Sequence, residues 1–556
     1  LAGGMGTERT ATTDCARIGE MPGRERRWNA WGFVGESFPA PVAAREWLTA
    51  RVGVGDALPA VGESEIEVPP ARPLPAFPAE TVSAPEARLR AARGHSFADL
   101  LALRTGNVGA FPDAVCLPQT AEQVVGILQA ASASAVAVIP RGGGTSVVGG
   151  VSVRPPARPT VVLSLERLHG LVEVDVTSQL AAFRSGTLGP EVEAALAPYG
   201  LRLGHEPQSF ELSSVGGWVA TRSAGQRSTG VGTIETLVAG VELATPAGLW
   251  RLPAYPASAA GPELRRLLTG SEGRLGVITE ATLRVRPLPE SEDGLAVLLP
   301  SWATGVEVCR ELVQAGVPVE VLRLSDPDET GFGMTLVTLS ALAERARRAL
   351  FALRRYRHGC LLLIGWAGAA QDVTLASQAA ARVWREAGGL ALGRAGWRRW
   401  KADRFRHPYL RDDLLSTGWG TDTLETAAPW GGLGGVYGAV RDAMSAAAGR
   451  NAFRTVVLCH LSHAYRDGAS LYFTFFWPLA RGAEHAQWSA LKAAATEALL
   501  AAGGTLTHHH GVGTMHAAYL EREVGGPGVA ALRALAREFD PHGVLNPGVL
   551  LPEGGG

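Results

Sequence analysis

Lysine is almost missing from this 556-residue chain: only Lys401 and Lys492 occur, and arginine carries nearly all the positive charge. Neither lysine follows a glycine, so the Gly-Lys step of a Walker-type phosphate loop is absent and a P-loop nucleotidase is excluded. Cysteine is scarce as well. Cys15, Cys116, Cys309, Cys360 and Cys459 are scattered, odd in number and without a C-x-x-C pair. That pattern argues against a disulfide framework or a zinc knuckle and for a reducing compartment. Long apolar runs are also lacking, since stretches such as 130–139 and 360–370 fall far short of a membrane span. No secretory leader precedes them, and the last residues carry no retention or peroxisomal tripeptide. The expectation is a soluble cytoplasmic protein, at most peripheral to a membrane, with the residues ahead of Met5 set aside from the fold. A net charge of −1 leaves no electrostatic footprint for nucleic acid.

What is present points to a globular enzyme. Hydrophobic residues make up 46% and charged residues 19%, and the length predicts roughly two to four domains. Glycine (69) and proline (35) are over-represented with no collagen-like period, which implies many tight turns and backbone that approaches a ligand closely. Residues 24–51 are rich in arginine and tryptophan, and the proline-dense 68–85 reads as a surface linker, so 1–85 form an arm. Short strand runs at 136–140, 160–165, 171–176 and 180–185, with helices at 121–133 and 190–197, define an α+β domain over 86–290. Over 291–507, strands at 295–299, 319–324, 360–365, 455–460 and 471–476 alternate with helices at 304–315, 372–386 and 488–501. That pattern reads as an antiparallel sheet with helices on one face, forming a substrate or cap domain. Residues 508–556, with a helix at 529–539, pack back on the first domain. The fold class is therefore α+β, two-lobed.

Directly after the 136–140 strand stand Pro140, Arg141, Gly142, Gly143, Gly144, Thr145 and Ser146. Consecutive glycines let backbone N–H groups converge on an anion, and the hydroxyls add donors. The spacing fails the Rossmann fingerprint because Val147 stands where its last glycine belongs, and no helix pattern follows. By itself the loop reads equally as a flexible surface turn. Two further small-residue turns follow, one over Gln208, Ser209, Ser213, Ser214, Gly216 and Gly217, continued by Thr221, Arg222, Ser223 and Ala224. The other holds Ser271, Glu272, Gly273, Leu275, Gly276 and Val277. Three such turns suit a long ligand with a central diphosphate.

This order of motifs resembles the FAD-binding domain of the vanillyl-alcohol oxidase/PCMH-type flavoproteins. The resemblance implies that all three turns wrap FAD. Some relatives attach the flavin through a histidine just after the glycine loop; Thr145 stands there, which implies non-covalent FAD.

Chemistry-bearing residues cluster later. His508, His509 and His510 are adjacent; read as a strand, His508 and His510 face one side and His509 the other. The tract can be surface polarity, an adventitious metal site or a proton-transfer group; it lacks the spacing and companions of the usual zinc sites, and no metal is assigned. Tyr472 lies in an alternating run whose faces are Leu471/Phe473/Phe475 and Tyr472/Thr474/Phe476, and can be strand filling. Arg411 can be a surface ion pair with Asp412 or Asp413. Arg323, in an apolar strand, needs a partner or an anionic ligand.

Together with Arg27–Phe33, Gly204–Pro207, Glu425-Thr426 and Asp467–Ala469, these residues resemble the alkyl-dihydroxyacetonephosphate synthase (alkylglycerone-phosphate synthase) subfamily over most of the chain. The resemblance implies Tyr472 as acid/base, His508–His510 as required for activity, and Arg411 with Arg323 on a phosphate-bearing lipid substrate. It implies exchange of the acyl group of acyl-dihydroxyacetone phosphate for a fatty alcohol through a flavin N5 adduct, and a homodimer. Trp28, Trp31 and Phe33 beside arginines prompt the expectation of membrane contact. The alternatives are an FAD-dependent oxidase or dehydrogenase of a D-2-hydroxy acid, and a flavoprotein fold kept as a scaffold.

Overall fold

The computed structural model describes residues 20–21, 24–155, 158–337, 345, 349 and 356–552. Cys15, the residues ahead of Met5 and the last four residues therefore lie outside the described residues.

The first lobe is built on two sheets. In the smaller, strands run in the order Glu80–Val82, Ala114–Leu117, Thr160–Ser164, Ala137–Arg141; the last three are mutually parallel and buried except at Pro140 and Arg141. The helix Ala121–Ala133 supplies their crossover, capped by the Thr120 hydroxyl on the Gln123 N–H, and buries Val124, Ile127, Leu128 and Ala131. The five-stranded antiparallel sheet orders Gly248–Leu252, Val238–Thr245, Val277–Arg284, Leu180–Arg184, Leu171–Asp175. Residues Val512–Leu551 return to this lobe: Val544 and Leu545 complete the core of the parallel sheet, and Val512, Leu520 and Val549 join that of the other.

The second lobe is one seven-stranded sheet in which every pairing is antiparallel. Its order is Leu390–Gly393, Ser291–Leu299, Cys360–Gly368, Val321–Ser325, Val456–Ala464, Gly468–Pro478, Trp419–Pro429. Helices Trp302–Gln314, Ala370–Glu386, Leu433–Arg450 and Glu484–Ala501 cover one face with a single large core. Alternation assigns the two faces. Leu471, Phe473 and Phe475 enter that core, whereas Tyr472, Thr474 and Phe476 turn to the opposite face, toward the first lobe.

The arm and a buried ion cluster are among the contacts that join the lobes. The arm passes between them: the Arg26 guanidinium donates to Gly143 O at 2.7 Å, and the Trp31 N–H donates to Asp412 at 2.9 Å. Trp31 and Phe33 are buried with Leu212 and Tyr409, and Trp28 packs on a neighbouring cluster, so this aromatic group is interior packing and not a membrane-facing patch. Behind it lies a buried ion cluster. Arg227 holds Glu320 (2.6 Å), Glu292 (2.9 Å) and Glu206 (3.0 Å), which are shared in turn with Arg202, Lys401 and Arg404.

Candidate active site

Between the lobes lies a cavity of about 1250 Å³. That exceeds the ~300–1,000 Å³ of an ordinary small-molecule site and leaves room for two ligands. One wall is the glycine loop Gly142–Ser146 with Gln208, Ser209, Ser213, Ser214, Gly217, Thr221, Ser223 and Ala224. Side chains are excluded there. A Cβ on Gly142 would stand 2.1 Å from Ser214 Oγ, and one on Gly143 1.7 Å from Leu212 O. The wall is thus bare backbone edged by hydroxyls, and it fits an extended diphosphate-bearing cofactor such as FAD.

The remaining turn residues lie outside the cavity lining. Pro140 packs against Gly273, and Arg141 donates to the Arg90 and Arg93 carbonyls beneath the loop. Gly216 lets its helix sit on Ser185. Arg222 pairs with Glu235 at the surface. In the third turn Glu272 accepts the Val512 and Gly513 N–H groups at 2.7 Å each, Leu275 and Val277 are core, Gly276 packs on Leu243, and Ser271 is buried. This turn clamps the C-terminal segment onto the lobe.

The facing wall comes from the seven-stranded sheet and carries Arg323, His460, Ser462, His463, Tyr472 and Thr474, joined by His407, Arg411, His509 and His510. One rung of the sheet aligns Glu425, Tyr472 and His460 on three neighbouring strands. The Tyr472 ring stacks on His460 with centroids 4.9 Å apart and contacts His509 and His510. Burial pushes its phenol up to about 12, so it enters the reaction protonated.

His508–His510 are not a strand, and their rings do not alternate. The segment wraps one buried carboxylate: Glu425 accepts the Thr507 hydroxyl (2.6 Å) and the N–H groups of His508 (2.6 Å), His509 (3.1 Å) and His510 (2.9 Å). Burial opposes its charge, but the surrounding imidazoles and the Thr507 hydroxyl hold it well below the ordinary carboxylate range. Burial in turn lowers the imidazoles of His509, His510 and His508, while the Glu425 carboxylate pulls each of them back up. Glu425 is the carboxylate companion absent from the local sequence, and with His508 and His509 it forms a compact trio; hydrogen bonds hold the trio together.

The two arginines differ. Arg323 is already engaged, donating to Glu329 (2.7 Å) and facing His460 Nε2 at 3.0 Å. Burial alone would raise Glu329; His460 and Arg323 hold it down to about 2. Arg411 bonds neither Asp412 nor Asp413: its Nη1 donates to His95 O at 2.9 Å, and its buried Nε has no protein partner at the cavity. The guanidinium acts electrostatically on Asp412, and its unsatisfied Nε–H calls for an acceptor in the cavity.

Sequence reasoning missed Glu425, Glu329, His460 and His463 as site residues. His460 and His463 are three apart and would face opposite sides of a regular strand. A register shift between Ser462 and Ala464, with His463 at φ +48°, brings both rings to the cavity, where the Ser228 hydroxyl meets His463 Nδ1 at 2.5 Å. Two histidines in one strand were the available signal.

The sequence matches two family descriptions in succession, "FAD binding domain" over residues 112–252 and "FAD linked oxidases, C-terminal domain" over residues 288–550. An alkyldihydroxyacetonephosphate synthase of Dictyostelium discoideum is 30% identical over 513 residues, covering 89% of this chain and 84% of that protein. A solved alkyldihydroxyacetonephosphate synthase superposes with a TM-score of 0.82 at 26% identity, covering 94% of this chain and 98% of that one. A solved p-cresol methylhydroxylase with substrate bound, at 13% identity and a TM-score of 0.64 over 92% and 96% of the chains, shares the fold alone.

Proposed function

The chain belongs to the alkyldihydroxyacetonephosphate synthase family of FAD-linked oxidases, and from that premise we propose how its own residues carry the reaction. It is an FAD-dependent enzyme that replaces the acyl group of acyl-dihydroxyacetone phosphate with a fatty alcohol. The single observation behind the assignment of roles is the convergence of Tyr472, His509, His510 and Arg411 with the glycine loop around one cavity.

The chemistry supplied by bound FAD is reversible uptake of an electron pair, which allows substitution at carbon with no net oxidation. Gly142–Ser146 and the 208–224 segment hold the cofactor. Arg411, with its free Nε, takes the substrate phosphate. Arg323 is locked by Glu329 and orients His460 under Tyr472. The neutral imidazoles of His509 and His510 accept protons beside the ketone and from the alcohol, the first of these returns to carbon once the ether has formed, and the Tyr472 phenol, keeping its proton, donates a hydrogen bond to the departing carboxylate. Leu363, Phe476, Phe332, Leu336 and Trp400 give the alkyl chains an apolar lining.

The test is an exchange assay under anaerobic conditions. Labelled fatty alcohol enters acyl-dihydroxyacetone phosphate with release of fatty acid while the flavin stays yellow. Bleaching by a D-2-hydroxy acid without exchange would return the assignment to an oxidoreductase. The proposal includes a homodimer and a cytoplasmic enzyme meeting membranes at its cavity mouth, because both substrates are scarcely soluble in water; light scattering and vesicle flotation read these.

A further inference from the structure

The reaction proposed above releases a proton at every turnover. An alcohol O–H bond and the bond from the dihydroxyacetone carbon to the acyloxy oxygen break, an ether C–O bond forms, and the departing acid leaves as carboxylate, since its ordinary pKa of ~4 lies far below neutrality. The extra proton arises inside a cavity between two lobes, on imidazoles that burial makes poor places for it to stay.

One chain of groups leads out. His509 lines the cavity, and its Nδ1 faces His508 Nδ1 at 3.0 Å. His508 is outside the lining; its Nε2 meets the Tyr465 hydroxyl at 2.7 Å. Tyr465 is also outside the lining and half-buried, next to the exposed Arg466 and Asp467, with the Arg222–Glu235 pair close enough to act on it electrostatically. Imidazole and phenol each both accept and donate a proton, so the series is continuous. Glu425 fixes the backbone of both histidines, and its carboxylate lies 3.7 Å from His509 Nδ1, which supports a passing positive charge.

We propose that His509, His508 and Tyr465 form a proton exit from the cavity to solvent, with Tyr465 as its outer gate. The proton on His509 Nδ1 crosses to His508 Nδ1. His508 then gives its Nε2 proton to the Tyr465 oxygen as the phenol releases its own to water, and a His508 ring flip with hydroxyl rotation resets the chain. No oxidant or co-reactant is needed. This inference rests on the synthase reading, because an oxidoreductase would have a different proton balance.

The test is Y465F in the FAD-loaded enzyme, which keeps the ring and removes the relay oxygen. The expected result is a kcat lower by on the order of tenfold, less than the ~10²–10⁴ of a directly acting acid or base. KM values and flavin content stay unchanged, the solvent deuterium isotope effect on kcat rises, and added imidazole restores most of the rate. The H508Q variant should behave alike, and the double variant should be no slower than the slower single one. Wild-type kcat and isotope effect in Y465F, or a loss that imidazole does not restore, overturns the exit while leaving the synthase reading intact. Absence of exchange activity in the wild type overturns both.

Discussion

Glu425 is one side chain with the work of a scaffold. Four donors converge on its two oxygens, among them the backbone N–H of each of the three histidines. The E425Q variant turns one acceptor oxygen into an NH₂ that faces N–H groups. Leaving a buried donor unsatisfied costs ~1–3 kcal/mol, which a thermal melt should read. Displacing the bases should lower kcat by on the order of 10²-fold, since a misplacement near 1 Å has that effect. Tyr472 works differently, through its proton. Y472F should fold and bind flavin as the wild type does but lose exchange by ~10²-fold or more in steady-state assays. Alternation assigned Tyr472 its face, and the family resemblance assigned it its role. Glu425 stands in the Glu425-Thr426 pair that carries the resemblance but was given no role, because nothing along its strand, Trp419–Pro429, shows that the 507–510 segment folds onto it.

At the scale of elements, the glycine loop and the lobe junction carry the argument. A G143A substitution would put a methyl group 1.7 Å from the Leu212 carbonyl, a backbone atom that cannot yield. The loop must then move off the 209–214 turn, and the purified variant should lose most of its flavin, read from the ratio of visible to ultraviolet absorbance. At the junction, R227M removes the one guanidinium shared by Glu206, Glu292 and Glu320. Breaking a buried ion network by deleting one partner costs ~3–5 kcal/mol, and urea unfolding should show that loss. Elements with a strong period were legible: the helix over 121–133 and the five expected cap strands fall within a few residues of their places, whereas the strands Leu390–Gly393 and Trp419–Pro429 were not expected. The bulge at Ser462–Ala464 and the wrapped 508–510 segment were not, because neither follows a period; each is shaped by a group from elsewhere, Ser228 and Glu425.

For the whole molecule, the notable property is the number of imidazoles held neutral in the interior. Burial lowers His205 and His516 to about 3, and His95, His463 and His509 well below their ordinary value. The unfolded chain takes up these protons below pH ~6.5 and the folded one does not, so stability is complete above that value and falls as the pH drops toward the folded pKa. At about pH 5, His205 and His516 alone remove about 2 kcal/mol each, at 1.36 kcal/mol per unit. Set against a total of ~5–15 kcal/mol, the set should unfold the protein well above pH 4. Circular dichroism against pH should show a midpoint near pH 5; a native signal persisting to pH 3 would mean the rings are charged in place.

The residues by themselves determined the two lobes and the glycine loop, because period and local backbone permissiveness are properties of neighbours along the chain; Tyr472 and the three histidines were singled out for chemistry only through the family resemblance. Only the tertiary structure decided which turns reach the cavity, that Trp31 and Phe33 are interior, that Arg323 is occupied while Arg411 is open, and that Glu425 arranges the imidazoles. Each of those depends on what a distant segment brings within about 3 Å, and hydrogen bonding and burial act over that range irrespective of separation along the sequence.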